Sequence, residues 1–308
     1  TSFDTDDWLY RVLTFLQMGG VLVLAAGVED AFDGDFRVVV VGYVVMRVAM
    51  VAQWLRASRH AGDRRATTLT YAAGIALVQL LWIGWLFLPD GVGGPGFVLL
   101  ALAELAVPVV AERRVTTPWH PHHVTERYGL FTLILLGESL LASANAVIEA
   151  RHDDAALGPL LAIAVLAFVV TAALWWVYFW PPHHGLIRDL RSSLRYGYVH
   201  YFVFAAAGAF SAGIEVEIDV LTDHSELSEV AASFTVTVPV AIFLLGIWWI
   251  ALRAAADHVV NTAVPVAALL VLLDPVLPVP VTLTAVVLVA LVVVLVLRPP
   301  VADGRACV

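Results

Sequence analysis

The chain has 308 residues, of which 61% are hydrophobic and only 14% charged; its mean hydropathy is +0.88 and its net charge −9. So few charges cannot cover a water-soluble surface of this size, and a run such as 281–297 (VTLTAVVLVALVVVLVL) needs hydrocarbon around it. The acid excess without a basic patch argues against nucleic acid as a partner, and a single cysteine, Cys307 in the tail, leaves no disulfide or Cys-rich metal site to build.

Apolar runs between charged or Gly/Pro breaks predict ten membrane helices, at roughly 12–28, 37–55, 67–88, 96–111, 127–148, 156–180, 198–214, 230–252, 259–273 and 279–297. The first follows an acidic DTDDW stretch and precedes no small-residue cleavage site, so it reads as a span rather than a signal peptide. All basic residues are arginine, which fits a high-GC genome. With the N-terminus inside, internal segments hold fourteen arginines and external loops only Arg37 and Arg151, so both termini are expected in the cytoplasm. The expected architecture is an all-α polytopic bundle, one transmembrane domain over 1–308, with a short cytoplasmic tail from about 298. External loops carry acid at 29–36 and at Glu215, Glu217, Asp219, Asp223, Glu226 and Glu229, read as a solvated rim with a cation-collecting vestibule as the alternative. The GVGGPG stretch (91–96) reads as a turn, and WWVYFW (175–180) as an interfacial aromatic belt.

Ionisable residues inside spans cost about 2.5–3.5 kcal/mol each at a helix centre, so they should face protein or water. Arg47, Glu104 and Glu138 lie well inside spans, and His200 lies nearer an end. Arginine keeps its charge where an isolated glutamate would protonate, so Arg47 is expected to pair with Glu104 or Glu138. At 100° per residue Arg127, Glu138, Asn145 and Glu149 form one polar stripe, which is expected to line a bundle interior or a pathway. Glu138 lies roughly 16 Å along the helix from Arg127, near mid-bilayer. Gly137 is expected to admit a neighbouring helix, with Ser139 and Ser143 adding hydroxyls. His120, His122, His123 and Glu126 form a cytoplasmic mouth; Pro118 and Pro121 disfavour helix there, and solvated imidazoles are preferred to a metal site. His183 and His184 lie in another internal loop. For His200 a buried Tyr-His hydrogen bond is preferred to a proton relay. No metal or cofactor is expected, and no Walker loop, GxSxG, HExxH or dinucleotide fingerprint occurs.

The pattern HPHHVTERYGLFTLILLGES (120–139), followed by ALWWVYF (173–179), resembles the bacterial low temperature requirement A (LtrA) family of multi-pass membrane proteins. FDTDD at 3–7, LYR at 9–11 and YGYVH at 196–200 are similar to other landmarks of that family, so the resemblance runs over nearly the whole chain. It implies a bacterial cell-membrane protein with a link to growth in the cold and no established biochemical activity. It also implies an earlier ELFFDLVF-type segment and about two more spans, which this chain lacks and whose acids would be mates for Arg47 or Arg127.

Three functions compete. The first is a transporter or channel-like protein with a pathway at Glu138, Arg127, Glu126, Glu104, Arg47, Asn145 and His200, and a mouth at His120 and His123. An intramembrane enzyme acting on a lipid or isoprenoid would use His120, His123 and Glu126 as acid-base groups. A receptor or scaffold would use the polar residues only to hold the bundle. The lipid bilayer is the one partner read directly; the solute or ion and the oligomeric state stay open.

Overall fold

The computed structural model describes residues 6–89, 93–113, 115–118, 120–150, 157–276 and 282–300, without the side chains of 146, 147, 149, 150 and 157. Among these residues every regular element is helical. The helices are α1 (Trp8–Ala26), α2 (Val28–Phe32), α3 (Arg37–Ser58), α4 (Arg65–Trp85), α5 (Gly93–Ala111), α6 (Pro121–Ala150), α7 (Leu157–Phe179), α8 (Leu190–Leu221), α9 (Glu229–Ile247), α10 (Arg253–Ala255), α11 (His258–Leu273) and α12 (Thr282–Leu297). Among the described residues nine helices are long and apolar enough to cross a membrane; α12 is equally apolar but has 16 residues. Leu, Val and Ala carry these helices, and proline is tolerated inside α5, α9 and α11.

The chain divides into two compact units, Thr1–His120 and Pro121–Val308. In the first, α1 packs on α3, α3 on α4 and α4 on α5. The α1–α3 crossing is close because both helices present glycine: a Cβ at Gly20 would lie 2.9 Å from the Gly42 carbonyl oxygen. Asp7 caps α1 by accepting from the Tyr10 amide at 2.9 Å, and its carboxylate also pairs with Arg56 near the end of α3. Those two contacts hold its pKa down at about 2, the Arg56 hydrogen bonds contributing most. Beyond α5, the Glu112 carboxylate accepts from the Tyr71 hydroxyl (2.9 Å) and from the Thr117 amide and hydroxyl (both 2.7 Å). The core is Val40, Ile75, Val78, Trp82, Leu100 and Val107, bordered by the edge-on rings of Phe36, Trp85 and Phe97.

In the second unit α8 and α9 form the most extensive contact, and α6 lies against both α7 and α8. Pro121 begins α6 instead of preventing it. A proline in the first helical position lacks only an amide that would have no partner there, so the helix takes in His122, His123 and Glu126. A capping box at Asp189 and Ser192 starts α8 eight residues before the expected 198, giving a helix of 32 residues. A π-helical turn, Trp248–Leu252, interrupts the path from α9 to α10. Arg253 stacks over the Trp249 ring at 4.2 Å, as arginine does beside an interfacial aromatic.

Candidate functional site

In the first unit the polar centre lies between the middles of α3 and α5. Arg47 is mid-way along α3 and Glu104 mid-way along α5, and they pair at 2.9 Å with side chains 21% and 14% exposed. Tyr43, one turn before Arg47, holds the same cation: Arg47 Nη2 donates to its hydroxyl, and the guanidinium sits 4.7 Å from its ring centroid. Several buried polar atoms in this part of the unit have no hydrogen-bond partner among the described residues. They are Arg47 Nε, Glu104 Oε2, both amide atoms of Gln79 and Trp82 Nε1. Gln79 and Trp82 lie three residues apart on the buried face of α4, and Trp82 meets Tyr43 edge-on at 6.3 Å. Buried polar groups are normally satisfied, so this centre holds unused capacity to donate and accept.

The second unit holds a Tyr–His network of the opposite character. His200 is fully buried in α8; its Nδ1 donates to the Tyr196 carbonyl at 2.7 Å, which leaves Nε2 to accept from the Tyr178 hydroxyl at 3.1 Å. His183 Nε2 donates to the Tyr178 carbonyl at 2.8 Å, so its Nδ1 accepts from the Tyr196 hydroxyl at 2.8 Å. The two carbonyls thereby fix which nitrogen of each ring donates. Burial holds the His183 imidazole down at about 4, against the pull of its bond to the Tyr178 carbonyl. Tyr128 closes over His200 edge-on at 4.7 Å.

Other expected residues fall differently. Arg127, Glu138 and Asn145 do share a stripe on α6, but it is exposed on the second unit rather than turned into that unit's core. Gly129, Thr132, Leu136, Ser139 and Ser143 take the core face instead, roughly 145° around the helix. Ser139 and Thr171 bond at 2.8 Å, and Ser143 donates to the Ser139 carbonyl at 2.7 Å. Thus small hydroxyl residues, which satisfy themselves on helix carbonyls, win the interior over a carboxylate that would have to be desolvated. Nothing described lies within 4 Å of a Cβ placed on Gly137, so no helix among the described residues packs closely on that glycine. The Glu149 side chain lies outside the described residues. His123 and Glu126 form an exposed i, i+3 pair at 3.7 Å, and the His122 and His184 rings stack at 4.3 Å. His120 ends the first unit and is exposed. Among the described residues no group of three or more His, Cys, Asp or Glu is placed to hold a metal ion.

Sequence reasoning limited to ionisable residues in spans passed over Gln79 and Trp82, and placed His183 in an internal loop without joining it to Tyr178 and Tyr196. The i, i+4 spacing of Tyr43 and Arg47 was a readable signal. Glu217, assigned to the solvated rim, is instead a buried residue of α8. The reason is that α8 runs past the expected end at 214 to Leu221 and turns Glu217 toward α9.

Long apolar helices with charged and polar groups held among them define a polytopic helical membrane protein. The chain belongs to the family of bacterial low temperature requirement A proteins (LtrA), whose family model matches residues 1–297. It is 26% identical over 200 residues to an uncharacterized protein of Rhizobium meliloti. That match covers 60% of this chain and 46% of the relative, so the chain spans about half the length of the curated relative it matches. No solved structure matches it.

Proposed function

We propose that this chain serves a bacterial cell-membrane transporter or channel-like protein, moving a small polar solute or ion past the Arg47–Glu104 centre. The observation that carries the reading is the ion pair at 2.9 Å with donors and acceptors beside it left without partners. An ion pair kept only for rigidity is commonly no better than apolar packing, and unfilled hydrogen-bonding capacity makes it worse. A passing solute or hydrated ion would use that capacity transiently. The exposed stripe of Arg127, Glu138 and Asn145 is a separate polar surface, on α6 of the second unit, and is proposed to serve transport in its own right. The arginine distribution supports both termini in the cytoplasm.

The test is flux in proteoliposomes for protons, alkali cations, small anions and amino acids. Glu104→Gln keeps an acceptor for Arg47 but removes the charge; it should abolish a flux that the wild type shows, at a temperature where the variant's own unfolding curve shows it to be folded. Folded wild-type protein with no flux across the panel would sink the reading.

A further inference from the structure

A second set of unpartnered polar atoms lies wholly within the second unit, at the end where α8 and α11 finish and α9 and α12 begin. Antiparallel packing of α8 against α9 sets Gly213 on the Thr235 backbone, and Glu217, one turn beyond Gly213, lies beside Ser233. Thr237 is one turn along α9 on the same face as Ser233. Asp274 belongs to the short helical turn after α11, which packs on α9. Asp274, Ser233 and Thr237 have no exposure at all, and Glu217 is 7% exposed.

Half of this cluster has a structural explanation. Asp274 Oδ2 accepts from the Thr284 amide at 2.8 Å and from its hydroxyl at 2.5 Å, which caps the start of α12. That leaves Asp274 Oδ1, and with it Glu217 Oε1, Ser233 Oγ and Thr237 Oγ1, all buried and all without a hydrogen-bond partner among the described residues. The groups acting on Glu217 are Ser233, Asp274 and Glu229, a hydroxyl and two acids, with no base among them. Two carboxylates therefore share a buried environment without a compensating arginine among the described residues. A single proton could bridge one pair of oxygens and would leave the others idle.

We propose that Glu217, Asp274, Ser233 and Thr237 form a binding site for a hard metal cation. Their free donor atoms are all oxygens, the ligand type that alkali and alkaline-earth ions take, and the set contains none of the nitrogen or sulfur that softer metals select. Two carboxylates supply the charge and two hydroxyls complete a partial shell that water finishes. The exposed acids Asp219, Asp223 and Glu226 follow the cluster in sequence and raise the local cation concentration outside it. The site is independent of the Arg47–Glu104 reading, since it rests on different residues.

The experiment uses the purified full chain in detergent, with thermal unfolding followed at constant ionic strength while choline chloride is replaced by sodium chloride, or while calcium or magnesium chloride is added. Sodium acting alone assigns a monovalent ion, and calcium or magnesium acting at lower concentration assigns a divalent one; either supports the site. Glu217→Gln and Ser233→Ala should each raise the half-saturating concentration by at least the ~10-fold that loss of even an outer contact causes in metal sites. Glu226→Gln, exposed nearby, should retain the wild-type response. Identical unfolding of the wild type in every salt, together with no retention of radioactive sodium or calcium by equilibrium dialysis, overturns the proposal. So does an ion response that persists unchanged in both Glu217→Gln and Ser233→Ala.

Discussion

The polar centre around Arg47 in the first unit and the one around His200 in the second treat buried polarity in opposite ways. Around Arg47 and Glu104, a charged pair is accompanied by amide, indole and carboxylate atoms that have no partner among the described residues. Around His200, both imidazoles use both ring nitrogens, two tyrosine hydroxyls donate and two carbonyls accept, with no position left over at the rings. A completed network resists change because every substitution strands a partner. An incomplete one has something to offer a solute. The contrast suggests where to look for activity and where to look for rigidity in a chain whose polar residues are few.

The largest effect expected is in the first unit. Glu104→Leu leaves Arg47 charged with no carboxylate, and arginine cannot escape by losing its proton, so destabilisation of about 3 kcal/mol is expected. Arg47→Leu should cost less, because an isolated glutamate neutralises itself by protonation, and the double variant should be more stable than Glu104→Leu alone. Unfolding in detergent measures all three; a double variant whose cost equals the sum of the two single costs would break the assignment of Arg47 and Glu104 as a coupled pair.

His200→Leu in the second unit should lower stability by about 2 kcal/mol, since the buried Tyr178 hydroxyl loses its imidazole partner, whereas the Tyr196 carbonyl keeps its helical bond. Adding Tyr178→Phe should recover part of that loss by removing the stranded hydroxyl.

The network also predicts a pH effect. The His183 imidazole titrates near 6.5 when unfolded but at about 4 when buried. Over that window the unfolded chain binds more protons, so stability present above about pH 6.5 falls as the pH drops and this contribution is gone by about pH 4, with a slope of at most ~1.4 kcal/mol per pH unit. His183→Gln, whose amide can still donate to Tyr178 and accept from Tyr196, should flatten that part of the profile. A profile of unchanged slope would show that His183 is not held neutral.

The smallest change in stability is expected at Glu138→Gln, within about 0.5 kcal/mol, because the side chain is exposed on its unit. A loss of transport without a loss of stability there would assign the stripe a role in transport, whereas a large destabilisation would contradict its exposed position.

The sites differ in how legible they were. Arg47 and Glu104 stand out in the one-dimensional pattern, because a charge in a long apolar run is costly enough to demand a partner. The surroundings of that pair do not, since Gln79 and Trp82 carry no charge and look like ordinary helix residues until α4 is packed against α3. His200 could be read as a buried Tyr–His bond, but Tyr178 and His183 come from distant segments whose meeting depends on how α7 and α8 are joined. Asp274 was invisible as more than a loop acid beside a proline, and Glu217 was misplaced by the early end assigned to α8.

By itself, then, the amino-acid sequence determined the helical character, the approximate places of the apolar helices and the family, because hydrophobicity and its interruptions are local quantities summed along the chain. Only the tertiary structure decided that α6 turns Ser139 and Ser143 inward and Glu138 outward, and that Glu217, Ser233, Thr237 and Asp274 are buried in the second unit. The physical reason is that a helix has several faces of comparable polarity, and which one is buried depends on the neighbours it meets, a fact no single segment contains.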